Sequence, residues 1–363
     1  MRRIVTALCC SLLGPVACKV EIERDQDTVP LAFKVKIREP VGSESEPLPY
    51  TTAPRTFTID VEAVDFHGQD ADWFNGDVYL DVAPRGRLAK GQARTITLRD
   101  GKATGVAVSV EKVHGASNVW VEDRGSDDKP GSYATGLSPT LHVNRPTLHD
   151  ISETTNISSS ALRGDFVHVN NEGRRLVATG IAVDGFYLTD LDEPTGTFNA
   201  IFAHTHSRPN GVEQGDIIVD IIGTVGEFYG FTELSFPTYK VGGHVDELPT
   251  AKLTTQTIAD DLAMEALESR LVELENVTIC PIGEGYHEFG QWVVVLDDEG
   301  GSGNCSSGEG GITIVSALSA TGFTPEGHEG ETITRLLGDL RYHVAARPPW
   351  IIYTRGDADI ELE

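Results

Sequence analysis

Apolar and polar residues alternate along most of the chain from residue 31 onward, and this alternation predicts strands. Up to residue 143 the alternating runs are short and are separated by turn-rich stretches such as GSESEPLP and RDGK. Such a series of short strands is typical of a sandwich of two sheets. The runs are residues 31–37, 56–64, 77–84, 94–98, 102–110, 117–123 and 140–143.

The second half of the chain contains one strand-turn-strand unit twice. GVEQGDIIVDIIGTVGEFYGFTELSFPTY at residues 211–239 returns as GHEGETITRLLGDLRYHVAARPPWIIY at residues 327–353. In each copy a glycine followed by an acidic residue begins an alternating apolar strand, and a second glycine, Gly223 or Gly338, ends it. The repeat predicts two small barrels built around equivalent hairpins.

Two connecting segments interrupt the strands. Residues 144–161 are polar and rich in Pro, Ser and Thr, and we interpret them as a linker. Residues 251–270 contain a helical pattern, because Ile258, Leu262 and Ala266 recur at a spacing of four residues with Leu267 beside them. This pattern predicts one connecting helix that packs under the second barrel.

Three segments of the second half resemble the OB-fold domains that accompany secreted bacterial nucleases: GFYLTD at 185–190, the hairpin at 215–234 and LESRLVELENVTI at 267–279. The resemblance implies OB-type barrels at residues 162–250 and 271–363, each with one binding face. In that family the barrels stand beside a catalytic domain of the endonuclease/exonuclease/phosphatase type. Such a domain would follow the barrels, and this chain ends at Glu363, so no catalytic residue is carried over.

The first half shows a resemblance as well. Residues 77–123, with the turn DGKA and the run VWVED, resemble the Ig-like domains of bacterial surface proteins. The resemblance implies a β-sandwich over residues 31–143 and no particular ligand. The expected architecture is therefore all-β: an Ig-like sandwich followed by tandem OB-type barrels.

The N-terminus has the pattern of a targeting sequence. Met1 is followed by two arginines, and residues 4–17 are apolar or small and too few to span a bilayer. The run ends in Pro-Val-Ala-Cys18, which resembles the lipobox of bacterial lipoproteins, although Pro15 stands where that family has Leu. The charged start and the apolar run predict a signal peptide at residues 1–17, and the resemblance implies that Cys18 is lipidated. Residues 18–30 are rich in charged residues and lack periodicity, so we interpret them as a tether. Cleavage by ordinary signal peptidase is the alternative.

Cysteine usage agrees with export. Because Lys19 follows Cys18 in place of an inner-membrane retention aspartate, we expect an outer-membrane or cell-surface address with the lipid as the membrane contact. Cys280 and Cys305 remain outside the signal, and an even pair in an exported chain predicts a disulfide. A two-cysteine metal site is the alternative. The net charge of −26 disfavours unspecific nucleic-acid binding by the whole chain, although a local basic groove could persist.

Candidate ligand contacts lie in the first barrel, where aromatic rings are able to stack on single strands or sugars and arginines are able to bind anions. Strand alternation assigns half of the aromatic residues to the barrel interior, and Tyr229 and Phe231, beside glycines at a turn, are the ones we expect to be exposed. The candidates are Phe228, Tyr229, Phe231, Arg174, Arg175 and Arg208. The second hairpin lacks the aromatic tip, so we expect the second barrel to be mainly structural.

Two metal possibilities compete with simpler interpretations. His204 and His206 on one strand would face the same side, but no third ligand stands at a recognisable spacing. Acidic loops near Asp70 and Glu122 suit calcium, yet no regular D-x-D-x-D loop is present. We expect a polar strand end and solvated charges, with no metal and no cofactor.

Serine nucleophile elbows, phosphate-cradling loops and H-E-x-x-H are missing from the sequence. We therefore expect a non-catalytic surface lipoprotein that acts as a binding or scaffolding module. The alternative is an accessory protein of a separate secreted hydrolase that binds oligosaccharide or single-stranded nucleic acid. The sequence leaves a protein partner, the ligand and the oligomeric state open.

Overall fold

The structure, a computed structural model, describes residues 32–126, 129–154, 159–298, 301–317 and 319–363. The predicted signal peptide, the lipidation site Cys18 and the tether lie outside the described residues. Within them the chain is nearly all β and forms a sandwich followed by two closed five-stranded barrels. No helix in the described ranges is both long and apolar enough to cross a membrane.

The sandwich has two principal sheets, as predicted. One has the order β1-β2-β6-β4 and the other β10-β7-β3-β5, with β11 also paired to β7. Val78, Leu80 and Val82 of β3 are buried between them while the residues between these positions are not, which is the expected consequence of strand alternation. The strands are β1 (Ala32–Ile37), β2 (Arg55–Val64), β3 (Gly76–Ala83), β4 (Arg87–Leu88), β5 (Thr95–Leu98), β6 (Lys102–Glu111), β7 (Gly115–Glu122), β8 (Gly125–Ser126), β9 (Lys129–Pro130), β10 (Thr135–Leu137) and β11 (Leu141–Val143).

The segment predicted as a linker is partly structured. It contains helix α1 (Leu148–Ser152), whose N-terminus is closed by a capping box between Thr147 and Asp150. Leu148 and Ile151 are fully buried in the core of the first barrel. The polar composition of the segment hid these two apolar anchors, which cover one end of the barrel.

The first barrel closes in the order β13-β14-β15-β17-β16, with β16 pairing back to β13 and with β15 parallel to β17. Its strands are β12 (Phe166–His168), β13 (Leu176–Ile181), β14 (Gly185–Asp190), β15 (Ala200–His204), β16 (Asp216–Phe228) and β17 (Phe231–His244).

The second barrel repeats this topology in the order β19-β20-β22-β24-β23, with β23 pairing back to β19 and with β22 parallel to β24. The tandem OB-type architecture is thereby confirmed. Its elements are β18 (Ala251–Lys252), α2 (Thr255–Ile258), α3 (Asp261–Glu265), β19 (Leu271–Ile279), α4 (Glu284–Phe289), β20 (Gln291–Asp298), β21 (Gly301–Ser302), β22 (Gly311–Val315), β23 (Thr332–Tyr342), β24 (Trp350–Tyr353), the 3-10 turn η1 (Asp357–Asp359) and β25 (Ile360–Leu362).

The two glycines that mark the repeat occupy equivalent places, on β16 and β23. A Cβ atom on Gly223 would lie 2.7 Å from Cγ of Leu234, and one on Gly338 would lie 2.5 Å from Cγ2 of Ile352. In each barrel the glycine therefore lets the neighbouring strand of the hairpin pack closely. The repeated glycine spacing in the sequence therefore reflects a packing requirement of the barrel.

The predicted connecting helix is divided into α2 and α3. Asp260 interrupts the helix and caps α3 by accepting from the backbone N–H groups of Leu262 and Ala263. The predicted apolar face is wrong at Leu262, which is 44% exposed, whereas Met264 is fully buried in the second barrel's core.

Candidate ligand-binding cleft between the barrels

The outer face of the first barrel carries an aromatic cluster of three side chains. On β14 the chain alternates, so that Phe186 points into the barrel core and Tyr187 points outward. Outward Phe202 on β15 lies 4.9 Å from the Tyr187 ring, and Phe231 on β17 lies 5.6 Å from Phe202. All three outward rings are buried, because the second barrel packs over this face.

Arg341 of β23 covers the aromatic cluster from the second barrel. Its guanidinium lies 4.4 Å from the centroid of Phe231 and 5.7 Å from that of Phe202, distances that allow cation–π attraction. Its Nε is buried without a hydrogen-bond partner, and the Arg341 side chain makes no hydrogen bond or ion pair with the described residues. The remaining guanidinium donors are therefore available to a ligand.

A second strip of contacts joins the barrels beside Arg341. Asp339, two positions earlier on β23 and fully buried, accepts a hydrogen bond from Oγ1 of Thr179 at 3.2 Å. Arg355 donates to the carbonyl of Thr179 at 3.3 Å while its Nη2 lies 2.7 Å from Asp359 Oδ1. These contacts hold strand β13 of the first barrel against β23 and against the segment that follows β24 in the second.

The contact of Arg341 with the aromatic cluster and the contacts of Asp339 and Arg355 with Thr179 border a cleft of about 420 Å³ between the barrels. This volume lies within the usual size range of small-molecule sites. Its first wall comes from the β13–β14 turn, Tyr187 and the loop after β15. Its second wall comes from the ends of β22, β23 and β24. The lining residues are Ile181, Ala182, Val183, Asp184, Tyr187, Arg208, Val315, Ser319, Asp339, Arg341, Tyr353, Thr354 and Arg355.

The charges of the cleft differ from those of the rest of the chain. Three arginines line it in a protein of net charge −26. Arg355 is engaged by Asp359, but neither Arg208 nor Arg341 forms an ion pair with a carboxylate among the described residues. The charge of Arg341 does act on the buried carboxyl of Glu268. Asp184, partly exposed at the rim, lies 3.6 Å from Nε2 of His204. The cleft therefore presents two unpaired cations within an otherwise acidic molecule.

Burial alters two ionisable groups of the cleft. Loss of solvent raises the pKa of Asp339 to about 7, against the opposing attraction of Arg355. Burial also raises the pKa of the Tyr187 hydroxyl. Asp339 is therefore largely uncharged below neutral pH, which leaves the arginines as the dominant charges.

Three carboxyl groups are buried at the other side of the interface. Glu268 accepts a hydrogen bond from the Thr232 backbone N–H at 3.0 Å and also faces Glu265. Burial raises the pKa values of Glu268 and of Glu227 on the first hairpin. It raises the pKa of Glu265 to about 7. The hydrogen bond from Thr232 to Glu268 ties the connector to the hairpin.

The residues predicted from the sequence as ligand contacts do not lie together in one site. Arg174 is paired with Asp190 at 2.5 Å, and Arg175 with Asp192 at 2.7 Å, so their charges are used inside the barrel's own loops. Arg208 does line the cleft.

The prediction that Phe231 is exposed is wrong. It is fully buried, because the second barrel covers the strand end on which it lies. Phe228 and Tyr229 are exposed, at 46% and 61%. Tyr229 stands beside the second barrel, with its ring 5.9 Å from that of His343.

The pair His204 and His206 forms a stack instead of converging on a third ligand. Their rings lie 3.9 Å apart, and the exposed Phe236 stacks on His206 at 4.0 Å. His204 Nδ1 lies 3.0 Å from Glu233 Oε2. No group of three or more His, Cys, Asp or Glu residues that would suit a metal occurs in the described ranges.

The acidic loops of the sandwich are engaged locally where they are described. Asp70 pairs with Lys102 at 2.9 Å, and Glu122 with Arg124 at 2.5 Å. Asp127 and Asp128 lie outside the described residues.

The cleft residues of the second barrel were missed by sequence reasoning. Asp339 and Arg341 lie two positions apart on β23, a spacing that puts both on one face. Two opposite charges on one face of a predicted strand were the available sign of a functional surface. The second barrel was expected to be mainly structural because its hairpin tip lacks aromatic residues, and its charged residues were not considered.

Comparisons with known proteins add little to this geometry. No protein-family model matches the chain, and no curated protein matches it. Among solved structures, the crystal structure of dimeric latent PorU from Porphyromonas gingivalis matches with a TM-score of 0.19 and 10% identity. The match covers 90% of this chain and 34% of PorU, so the chain spans about a third of that protein's length. A TM-score this low carries no argument.

Proposed function

We propose that the protein is a non-catalytic binding module, exported and lipid-anchored through Cys18, whose ligand site is the cleft between the two barrels. The observation that carries the proposal is Arg341, a half-buried arginine that lines the cleft and whose side chain makes no hydrogen bond or ion pair with the described residues. A buried donor without a partner costs free energy unless a ligand or water satisfies it. A ligand in the cleft would offset that cost by accepting from the guanidinium donors that the cation–π contacts with Phe231 and Phe202 leave without an acceptor.

The sandwich serves in this proposal as a support for the barrels. It contacts the first barrel directly, since Lys112 donates to the carbonyl of Ala161 and Nε2 of His114 lies 3.3 Å from the carbonyl of Phe166. Arg87 lies 3.7 Å from Asp165 across the same junction. These contacts favour a firm platform that holds the cleft away from the membrane.

A second candidate function is an accessory role for a separate secreted hydrolase, through recognition of oligosaccharide or single-stranded nucleic acid. The exposed rings of Phe228, Tyr229 and Phe236 favour it, because exposed aromatic faces stack on bases and sugars. These rings lie outside the cleft lining, so the two candidates use different surfaces.

Substitution at the rim of the cleft tests the proposal. Val183 is 58% exposed and lines the cleft, so Val183→Trp blocks access with little disturbance of the core. Ligands are identified by thermal-shift screening with saccharides, organic acids and nucleotides, and single-stranded DNA is tested by fluorescence anisotropy. We expect Val183→Trp to abolish ligand binding and Tyr229→Ala to leave it unchanged. The opposite pattern supports the accessory role, and the absence of any ligand contradicts both.

A further inference from the structure

The inter-barrel cleft contains two kinds of surface that together define a ligand. Ile181, Val183 and Val315 supply apolar walls, and Tyr353 supplies an aromatic one. Arg208 and Arg341 supply the unpaired guanidinium groups. An apolar site with a small number of placed polar groups is the usual arrangement for a small organic ligand.

The arginines specify the charge of that ligand. A guanidinium presents its donors in a planar fork that matches a carboxylate or a phosphate, and it remains charged at every relevant pH. Arg355 cannot take this role freely, because Asp359 engages its Nε and Nη2 and Thr179 accepts from its Nη1. Arg208 is exposed and Arg341 is partly enclosed, so a ligand entering the cleft meets one arginine at the rim and the other inside.

The opposing charges are few. Asp184 lies at the rim, where His204 is its neighbour at 3.6 Å. Asp339 faces the interior and is engaged by Thr179. No other acidic side chain lines the cleft in the described part of the chain. The cleft therefore places three arginines against two aspartates in a molecule whose net charge is −26.

We infer that the cleft binds an organic oxyanion of monosaccharide size, in which a carboxylate or phosphate group is held by Arg341 and Arg208 and the remainder packs on the apolar walls. The inference rests on the proposed function and specifies the class of its ligand. The cleft volume of about 420 Å³ leaves room for a ring beyond the anionic group. Either a carboxylate or a phosphate group of the ligand provides the oxyanion.

Calorimetric titration of the exported protein tests the inference with three probes: glucuronate as the carboxylate, glucose 1-phosphate as the phosphate and glucose as the neutral analogue. We expect saturable binding of at least one anionic probe, weaker binding of glucose, and an affinity that falls as salt is added. The probe that binds identifies the source of the oxyanion.

Two variants and a control locate the binding. Arg208→Gln removes an exposed arginine and leaves the core unchanged, and Arg341→Lys keeps the charge but loses the planar fork. Each is expected to weaken anion binding by about tenfold, since a charge-assisted hydrogen bond contributes that much. Arg99→Gln removes the same charge from an exposed position of the sandwich and is expected to change the affinity less than about twofold.

The outcomes separate the inference from the function on which it rests. If glucose binds as tightly as the anions and Val183→Trp abolishes that binding, the cleft is a ligand site and the oxyanion inference is overturned. If anion binding is unaffected by Arg208→Gln and Arg341→Lys, the inference is likewise overturned. If none of the three probes binds, the oxyanion inference is overturned too. If, in addition, the ligand screen finds no ligand whose binding is lost in Val183→Trp, the proposed function is also overturned.

Discussion

The Asp339 carboxyl occupies the space that Gly180 leaves by lacking a side chain: a Cβ atom added to Gly180 would overlap Oδ2 of Asp339. The two residues belong to different barrels, Gly180 to β13 and Asp339 to β23. Their contact brings Thr179 within 3.2 Å of the same carboxyl. The close approach of the barrels along one wall of the cleft therefore depends on a glycine.

Gly180→Ala is expected to loosen the contact between the barrels. The added methyl group must displace a buried carboxyl, and overpacking of this kind costs about 1 to 3 kcal/mol. Urea denaturation measures the loss of stability, and limited proteolysis reports opening between the barrels. Gly283→Ala is the control, because a Cβ atom there meets nothing within 4 Å. Equal stability of both variants would contradict the proposed packing.

The stability of the protein is expected to fall as the pH rises from about 4 to about 7. Burial raises the pKa values of Asp339 and Glu265 to about 7 each. The unfolded chain ionises these groups near pH 4, whereas the folded chain keeps them neutral until about pH 7. Folding therefore loses stability through this window and is independent of these groups above it.

Asp339→Asn isolates the contribution of one carboxyl. The amide is neutral at every pH, so the difference in unfolding free energy between pH 5 and pH 8 is expected to shrink by about 2 to 3 kcal/mol. Urea denaturation at both pH values measures it. Asp297→Asn, at an exposed position of β20, is the matched control. An unchanged pH dependence in Asp339→Asn would show that this carboxyl is ionised in the folded protein.

Strand alternation predicted most of the fold, because the alternation of apolar and polar side chains along a strand is visible in neighbouring residues of the sequence. Residues 56–64 were predicted as a strand, and the structure has β2 at Arg55–Val64. The repeat of Gly223 and Gly338 predicted two barrels of one topology for the same reason. Helix α1 was missed because only Leu148 and Ile151 anchor it, within a polar segment.

The cleft could not be predicted in this way, because it depends on how the barrels dock. Phe231 is buried where Arg341, more than a hundred residues further along the chain, packs over its ring. Alternation places a side chain inside or outside its own barrel. It contains no information about a second barrel that covers the outer face.

Removal of the disulfide is expected to destabilise the second barrel. Cys280, directly after β19, is bonded to Cys305 in the loop before β22, over a sequence separation of 25 residues. Closing such a loop stabilises the folded state by roughly 3 to 4 kcal/mol in the chain-entropy model. Thermal unfolding of Cys305→Ser against the parent measures the effect. Two free thiols in the exported parent protein would exclude the bond in the cell.

Lipidation at Cys18 is expected to hold the protein on the membrane. Cys18→Ser removes the acceptor thiol, so the protein is expected in the soluble fraction, whereas Cys305→Ser serves as the cysteine control and is expected to remain membrane-bound. Mass spectrometry of the mature N-terminus provides an independent measurement. A free cysteine there, or a start at another residue, would exclude the lipid anchor.

Phe231→Ala and Tyr229→Ala are expected to have opposite effects, although the residues are neighbours on one hairpin. Phe231 is fully buried beneath Arg341, so its truncation leaves a cavity between the barrels and costs about 3 to 5 kcal/mol. Tyr229 is 61% exposed, and its truncation is expected to change the stability by less than about 0.5 kcal/mol. Urea denaturation measures both variants.

Ligand binding by the same two variants distinguishes the cleft from the hairpin tip. Loss of the Phe231 ring removes the support under the Arg341 guanidinium, so anion binding in the cleft is expected to weaken in Phe231→Ala at temperatures where the variant is still folded. Tyr229→Ala is expected to bind anions like the parent. If single-stranded DNA binds and only Tyr229→Ala loses it, the exposed tip is a second, stacking surface and the accessory role gains support. If Tyr229→Ala weakens anion binding while Phe231→Ala does not, the ligand lies outside the cleft.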